Sequence, residues 1–231
     1  MKHHYFLSLV LLPLGMASAA TISYDFENPA NITDAGSVDE AYSAPDTNDF
    51  GTGVTVSAFT MTDRDALEYS RFTDIGNGSV LAAVGNGSTA LTASFTVTID
   101  DTVMVDLTSI SFDSFFRFVL NNNNANIVQT FSTSIGDNET VSSWTKDSNV
   151  NLWPNPDNTV SVLLSGLTGL TDTSVTFTWS FEDNKSNTFA NLTHGIDDIE
   201  LIGTVSPVPE PSSVGLLVSG LSLLSFLRRR R

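Results

Sequence analysis

The sequence predicts an all-β fold, an antiparallel β-sandwich of the jelly-roll type. Three observations predict it. Apolar and hydroxyl residues alternate with a period of two, Gly/Asn/Asp/Pro clusters punctuate the alternation, and no helical period runs between them. A period of two sends successive side chains to opposite faces, so each such stretch buries one face and wets the other.

Two stretches carry the pattern most fully. Leu91, Ala93, Phe95, Val97 and Ile99 alternate with Thr92, Ser94, Thr96 and Thr98, and Val175, Phe177, Trp179 and Phe181 alternate with Thr176, Thr178 and Ser180. Valine, threonine and phenylalanine suit a pleated, half-buried surface. Trp179, between Phe177 and Phe181 on the apolar face, reads as core, as do Phe112, Phe115, Phe116 and Phe118. Further strands are expected at residues 21–27, 54–60, 79–84, 107–119, 127–134, 159–164 and 196–203. Turn residues separate them at Gly76-Asn77-Gly78, Gly85-Asn86-Gly87, Asn121 to Asn124, Gly136-Asp137-Asn138 and Pro154-Asn155-Pro156. Spacings of about 8 to 12 residues or somewhat more suit a sandwich of about eight to ten strands. Residues 28–53, rich in Asp, Ser, Asn, Thr, Gly and Pro, read as a long loop.

The two ends have a different chemistry. Met1-Lys2-His3-His4, the apolar stretch Tyr5 to Met16 and the small-residue exit Ala17-Ser18-Ala19-Ala20 have the layout of a secretory signal peptide. Residues 1–19 are assigned to it, with cleavage after Ala20 as the alternative; export machinery and signal peptidase are the partners this implies. At the other end Val208-Pro209-Glu210-Pro211-Ser212-Ser213 leads into Val214 to Leu227, fourteen residues without charge, and then Arg228, Arg229, Arg230 and Arg231. The prolines break regular structure. A helix of fourteen residues spans about 21 Å, short of a hydrocarbon core of about 30 Å, which flanking serines and snorkelling arginine stems extend. A transmembrane helix is expected at about residues 213–227, its arginine cluster in the cytoplasm and the body outside.

Residues 20–206 then form one domain, long enough to bury a core. All of the chain's 26 acidic residues except Glu210 lie in it, against Arg64, Arg71, Arg117, Lys146 and Lys185, a net charge of −20 compared with −16 for the whole chain. Such a surface repels nucleic acid and anionic lipid and favours cations. The chain has no cysteine, which excludes disulfides, thiolate catalysis, iron–sulfur clusters and cysteine zinc sites.

Pro209-Glu210-Pro211, a short apolar helix and a terminal arginine cluster, in that order, resemble the PEP-CTERM sorting signal of Gram-negative bacteria. The resemblance covers about residues 207–231. It implies that an exosortase, a membrane-embedded cysteine transpeptidase-like enzyme, cuts near the Pro-Glu-Pro motif and releases or transfers the protein to the surface, in an organism that makes extracellular polysaccharide or biofilm. The inner membrane would hold the chain by its C-terminal helix until then, and the destination would be the cell surface or extracellular matrix. The body has its own resemblance. Tyr24-Asp25-Phe26-Glu27 near its start and Gly195-Ile196-Asp197-Asp198-Ile199-Glu200-Leu201 near its end resemble the first and last strands of jelly-roll carbohydrate-binding modules. In those folds the two strands meet, and their acidic groups help to hold a structural calcium ion.

Calcium takes six to eight oxygen ligands. The candidates here are Glu27 with Asp197 or Asp198, and Asp25 after them. Two successive strand residues face opposite ways, so only one of Asp197 and Asp198 joins a given site unless a bulge intervenes. The loop acids Asp34, Asp39, Glu40, Asp46 and Asp49 match no calcium-loop spacing and read as a solvated loop. For glycan the candidates are Trp144 and Trp153, aromatic residues near turns that can offer a flat apolar face to a sugar, the alternative being packing against the core. Tyr42 and Tyr69 follow.

No catalytic residue is assigned. His194 is the one histidine of the body, it reads as a turn residue before Gly195, and no Gly-x-Ser-x-Gly elbow accompanies it. The expectation is therefore a non-enzymatic exported surface or matrix protein that binds glycan, an extracellular polysaccharide, and calcium. The alternatives are a secreted polysaccharide hydrolase or lyase, which two carboxylates could serve, and a structural adhesion or biofilm protein without a small ligand.

Overall fold

The structure, a computed structural model, describes residues 16–33, 41–62, 70–74, 79–85, 91–118, 127–135, 139–148, 159–183 and 192–208. In chain order its strands are β1 (Ser18–Tyr24), β2 (Ile32–Thr33), β3 (Ala41–Tyr42), β4 (Thr47–Asn48), β5 (Val54–Val56), β6 (Phe59–Thr62), β7 (Ser70–Asp74) and β8 (Ser79–Gly85). They continue as β9 (Leu91–Ile99), β10 (Val103–Phe118), β11 (Ile127–Ile135), β12 (Glu139–Ser148), β13 (Thr159–Leu163), β14 (Thr173–Asp183) and β15 (Leu192–Pro207).

These strands make two antiparallel sheets. One runs β13-β10-β15-β1-β4, with β8 also on β15 and β7 on β8; the other runs β12-β11-β14-β9-β6-β3-β2, with β5 on β9. Long strands that follow one another cross between the sheets, β9 to β10 to β11 and β13 to β14 to β15, and the first strand lies beside the last. This is the jelly-roll manner of winding. The strands number fifteen among the described residues, more than the eight to ten expected. The excess comes from short pieces. Residues 54–60, expected as one strand, are two, because the chain turns at Ser57 and Ala58 so that β5 and β6 take successive stretches of β9. The expected loop at 28–53 contributes the two-residue strands β2, β3 and β4.

Alternation explains the core. Phe95, Val97, Val175, Phe177, Trp179 and Phe131 of one sheet face Tyr24, Ile110, Phe112, Ile199 and Leu201 of the other, all buried. Trp179 packs at ring-centroid distances of 5.1 Å from Phe131, 5.4 Å from Phe112, 5.7 Å from Phe59 and 6.0 Å from Phe95. Each such pair adds about 0.5–1.5 kcal/mol beyond the area it buries. Of these pairs Trp179–Phe112 joins the two sheets, and the other three knit strands of one sheet together. Close approach of β10 to β15 depends on Gly203: a Cβ there would lie 2.5 Å from the Asp106 carbonyl oxygen.

A fully buried polar contact crosses the core. The buried Ser114 hydroxyl on β10 donates to the Gln129 side-chain oxygen on β11. Among the described residues the Gln129 Nε2 and the Trp179 Nε1 have no hydrogen-bond partner. A buried polar group left unmade costs about 1–3 kcal/mol, whereas removing both partners together costs far less. Ser114→Ala alone should therefore lower stability by roughly 1–3 kcal/mol, and Ser114→Ala with Gln129→Leu should recover most of the loss. Denaturant melts of the two single variants and the double variant check this. Additive losses would show that the two side chains do not act as a pair.

Candidate functional site: an acidic corner on the last strand

β15 is lined by β10 along its whole length on one side. On its other side it changes neighbour. β8 pairs with it from Leu192 to Ile196, and β1 pairs with it from Ile199 to Val205. Asp197 and Asp198 fall in the interval. There the register with β10 slips: Ser111 faces Glu200, but Asp113 faces Asp197, so β15 carries one residue more than β10. Asp198 takes up the extra residue with φ at 48°, a left-handed conformation that aspartate adopts more readily than most residues. A bulge thus joins the two aspartates at one corner, the condition under which both can serve one site.

The first strand delivers the rest. β1 ends at Tyr24, and Phe26 follows with φ at 55°. Its ring is fully buried against Tyr24, Tyr42 and Phe59. A bulky residue in this region costs of order 1–3 kcal/mol and persists where packing over-determines it. The anchored ring leaves Asp25 and Glu27 on either side of it, outside the core. Asp25 Oδ1 accepts the Glu27 backbone N–H at 3.0 Å, and Asp46 Oδ2 accepts the Asp25 N–H at 2.9 Å. Asp46 Oδ1 accepts the Tyr42 hydroxyl at 2.6 Å. Asp113, opposite Asp197, accepts the Thr159 hydroxyl on β13.

Burial and mutual repulsion disturb these acids. Asp197 is only 6 % exposed. Burial first, then the charges of Asp198, Asp113 and Asp25, push its carboxyl up to about 8, although its Oδ1 accepts the Asp198 N–H at 2.9 Å. Asp198 is raised by burial and by Asp113 and Glu27, and Asp25 by burial and by Asp46 and Glu27. Like charges directly opposite each other in a ladder are destabilising, so the corner is held against its own electrostatics.

The structure thus brings together Glu27, Asp25, Asp197 and Asp198, and adds Asp46 and Asp113. Asp46 was visible only as one acid of a loop. Asp113 gave no signal, because its place opposite Asp197 is set by a register between strands far apart in sequence. The donors are all oxygen, which suits a hard divalent cation. Among the described residues, however, no three Asp, Glu or His side chains already converge as a metal cage. Asp34, Asp39, Glu40, Tyr69 and Trp153 lie outside the described residues. Trp144 lies on β12 opposite Phe131, and Phe115, Phe116, Phe118 and His194 lie on β10 and β15, their side chains outside the described part.

A second surface carries rows of uncharged hydroxyl residues. On the outer face of the larger sheet, Thr92, Ser180 and Thr130 form one row across β9, β14 and β11; Ser94, Thr178 and Ser132 form the next; Thr96, Thr176 and Ser134 the third. Rows recur about every 6.8 Å along the strands, with strands about 4.8 Å apart. Hydroxyls meet between strands, Thr96 with Thr176 at 3.0 Å and Thr98 with Ser174 at 3.0 Å.

Among the described residues no helix is long and apolar enough to cross a membrane; the apolar run 214–227 lies outside them. No curated protein matches the chain. Solved structures to which the chain is similar include the carbohydrate-binding module TmCBM61 in complex with β-1,4-galactotriose, at 13 % identity over 65 % of this chain and 88 % of that one, TM-score 0.33. Another is a non-crystalline cellulose specific module, CBM28, at 15 % identity over 57 % and 78 %, TM-score 0.37. A third is the family 11 carbohydrate-binding module of the cellulosomal cellulase Lic26A-Cel5E of Clostridium thermocellum, at 17 % identity over 80 % and 94 %, TM-score 0.36. The two-sheet fold stands on its own ladders rather than on these likenesses. Residues 207–231 match the family model of the PEP-CTERM protein-sorting motif, so the chain carries the sorting signal of an exported protein processed by an exosortase-like enzyme.

Proposed function

We propose that the body is a non-catalytic cell-surface or matrix domain that binds calcium at the acidic corner and a neutral polysaccharide on its surface. The observation that carries the reading is the corner itself: carboxylates from the segment after β1, from β10 and β15 and from the loop before β4 are folded beside one another at an energetic cost. A divalent cation would turn that repulsion into ligation, with Asp197, Asp198 and Glu27 as donors and Asp25 beside them. Two or three carboxylates suffice, since calcium completes its shell with carbonyls and water.

The burial of Asp197 supports binding over catalysis. At 6 % exposure Asp197 offers little surface to a polysaccharide, which a general acid must touch. For the glycan, the uncharged hydroxyl rows support a neutral, hydroxyl-rich chain over an anionic one, which the body's charge of −20 would repel. Trp144 and Trp153 are the aromatic residues proposed to add stacking area, Trp144 at the β12 edge and not among the hydroxyl rows, since its register partner Phe131 faces the core.

Calcium at a hundred times its dissociation constant should stabilise the domain by about 2.7 kcal/mol. Asp197→Asn with Glu27→Gln should abolish this gain while leaving the domain folded. A thermal melt with calcium or with chelator decides it, and equal melting temperatures in both would remove the calcium reading.

The metal-free domain should also respond to pH in a defined direction. The folded carboxyl of Asp197 binds its proton up to about pH 8, whereas the unfolded one releases it near 3.8. Between these values the folded state holds more protons, so stability is greatest in acid and falls as pH rises through about 8. Asp197→Asn should flatten the slope. Melts between pH 5 and pH 9, in about four steps and with chelator, test it; a slope unchanged in Asp197→Asn would place the titration elsewhere.

Glycan binding is checked on an array of neutral and anionic polysaccharides. Binding is expected to neutral chains only and to weaken in Trp144→Ala and Trp153→Ala. No binding on any arm would remove the glycan half of the proposal and leave the calcium half intact.

A further inference from the structure

The sorting motif follows the fold without a linker. β15 runs to Pro207, paired with Val103, and the Val208 N–H donates to the Thr102 carbonyl at 3.1 Å in the turn between β9 and β10. Pro209 is the next residue. Successive Cα atoms are 3.8 Å apart, so Pro211 can lie at most about 11 Å from Val208. An enzyme that holds a peptide bond near this motif must also accommodate the residues just before it. Those residues are built into a sheet.

The last rungs are held less firmly than the rest of the strand. β1 supports β15 as far as Val205, which pairs with Ser18, and only as far as Gly203, opposite Ala20, once the expected signal peptide 1–19 is removed; Ser206 and Pro207 hang on β10 alone in either case. Pro207 has no N–H to give to a ladder, and prolines are placed at such strand ends. Beyond it one backbone bond, from Val208, closes the sheet. Local opening of weakly held segments is what exposes a folded chain to processing, and the rate then follows the population of the open form.

We infer that the sorting enzyme reads the chain back into β15, over Val205–Val208, and takes the tail only after these last rungs part from β10. The inference rests on the processing that the PEP-CTERM motif implies. In that step one peptide bond breaks, the tail leaves with the new amine, and the acyl carbon passes to water or to an acceptor amine. Separation of the strand end admits the substrate and changes nothing in this balance. The folded body thereby acts as a checkpoint, since how firmly the end of β15 is paired sets how readily the tail is taken.

A cysteine-free chain makes the test direct. Met104 and Ser206 are directly opposite on β10 and β15, and such pairs have Cα separations of about 5.5 Å, within the range a disulfide spans. Met104→Cys with Ser206→Cys locks the end of β15. Ser111→Cys with Glu200→Cys locks the same two strands further along and serves as the control. Each full-length chain is produced in a cell that carries the sorting enzyme, and the C-terminus is read by mass under oxidising and reducing conditions. The expected result is loss of processing in the oxidised 104/206 chain, its recovery on reduction, and normal processing of the control pair in both states. Shortening of the oxidised 104/206 chain at the unmodified chain's rate would overturn the inference and confine the reading to residues beyond Val208. An unmodified chain that keeps its tail would instead bring down the sorting reading itself, and this inference with it.

Discussion

The constraint on which the structure depends is the central position of β15. It is the one strand that touches three long neighbours: β10 along one edge, and β8 and then β1 along the other. A strand flanked on both sides has its backbone groups satisfied, and a one-residue slip would turn its apolar set outward. Ile196, Ile199 and Leu201 are therefore fixed inward. The step from Ile196 to Ile199 is three residues, which strict alternation cannot give. The bulge at Asp198 supplies the extra residue, and with it the acidic corner.

Electrostatics and packing pull against each other at that corner. Two of the three non-glycine residues with positive φ among the described residues, Phe26 and Asp198, lie there. Phe26 is held by aromatic contacts that are part of the core, at 5.2 Å from both Tyr42 and Phe59. Tyr42 in turn gives its hydroxyl to Asp46 and receives the Asn28 N–H at 3.2 Å. The hydrophobic interior thus bears the cost of assembling carboxylates at its rim. Backbone strain of this kind concentrates where a site must be pre-formed.

The β1–β15 pair also gives the molecule two unlike ends. At one end Ser18 stands beside Val205, and the chain runs on to the sorting motif. At the other, six rungs away, are Tyr24 and Ile199 and then the acidic corner, a separation of about 20 Å at 3.3 Å per residue. Processing and proposed cation binding therefore occupy opposite ends of one strand pair. The hydroxyl rows lie on the outer face of the other sheet, clear of both.

The sequence by itself determined what depends on neighbours along the chain. Alternation in residues 91–99 and 175–181 set out β9 and β14 and placed Trp179 in the core, because a period of two is local. The tail was legible for the same reason: its motif, apolar run and arginines follow one another directly. Two edge strands, β12 and β7, were not legible. β12, at the sheet edge with a register shift against β11, and the short β7 carry no clean alternation. The meeting of Asp25 and Glu27 with Asp197 and Asp198 was expected, but only the tertiary structure decided that a bulge would join the two aspartates and that Asp113 and Asp46 would complete the group. Which residues face each other across a ladder depends on register between distant segments, and register is settled by burial of the whole core rather than by any stretch of sequence alone.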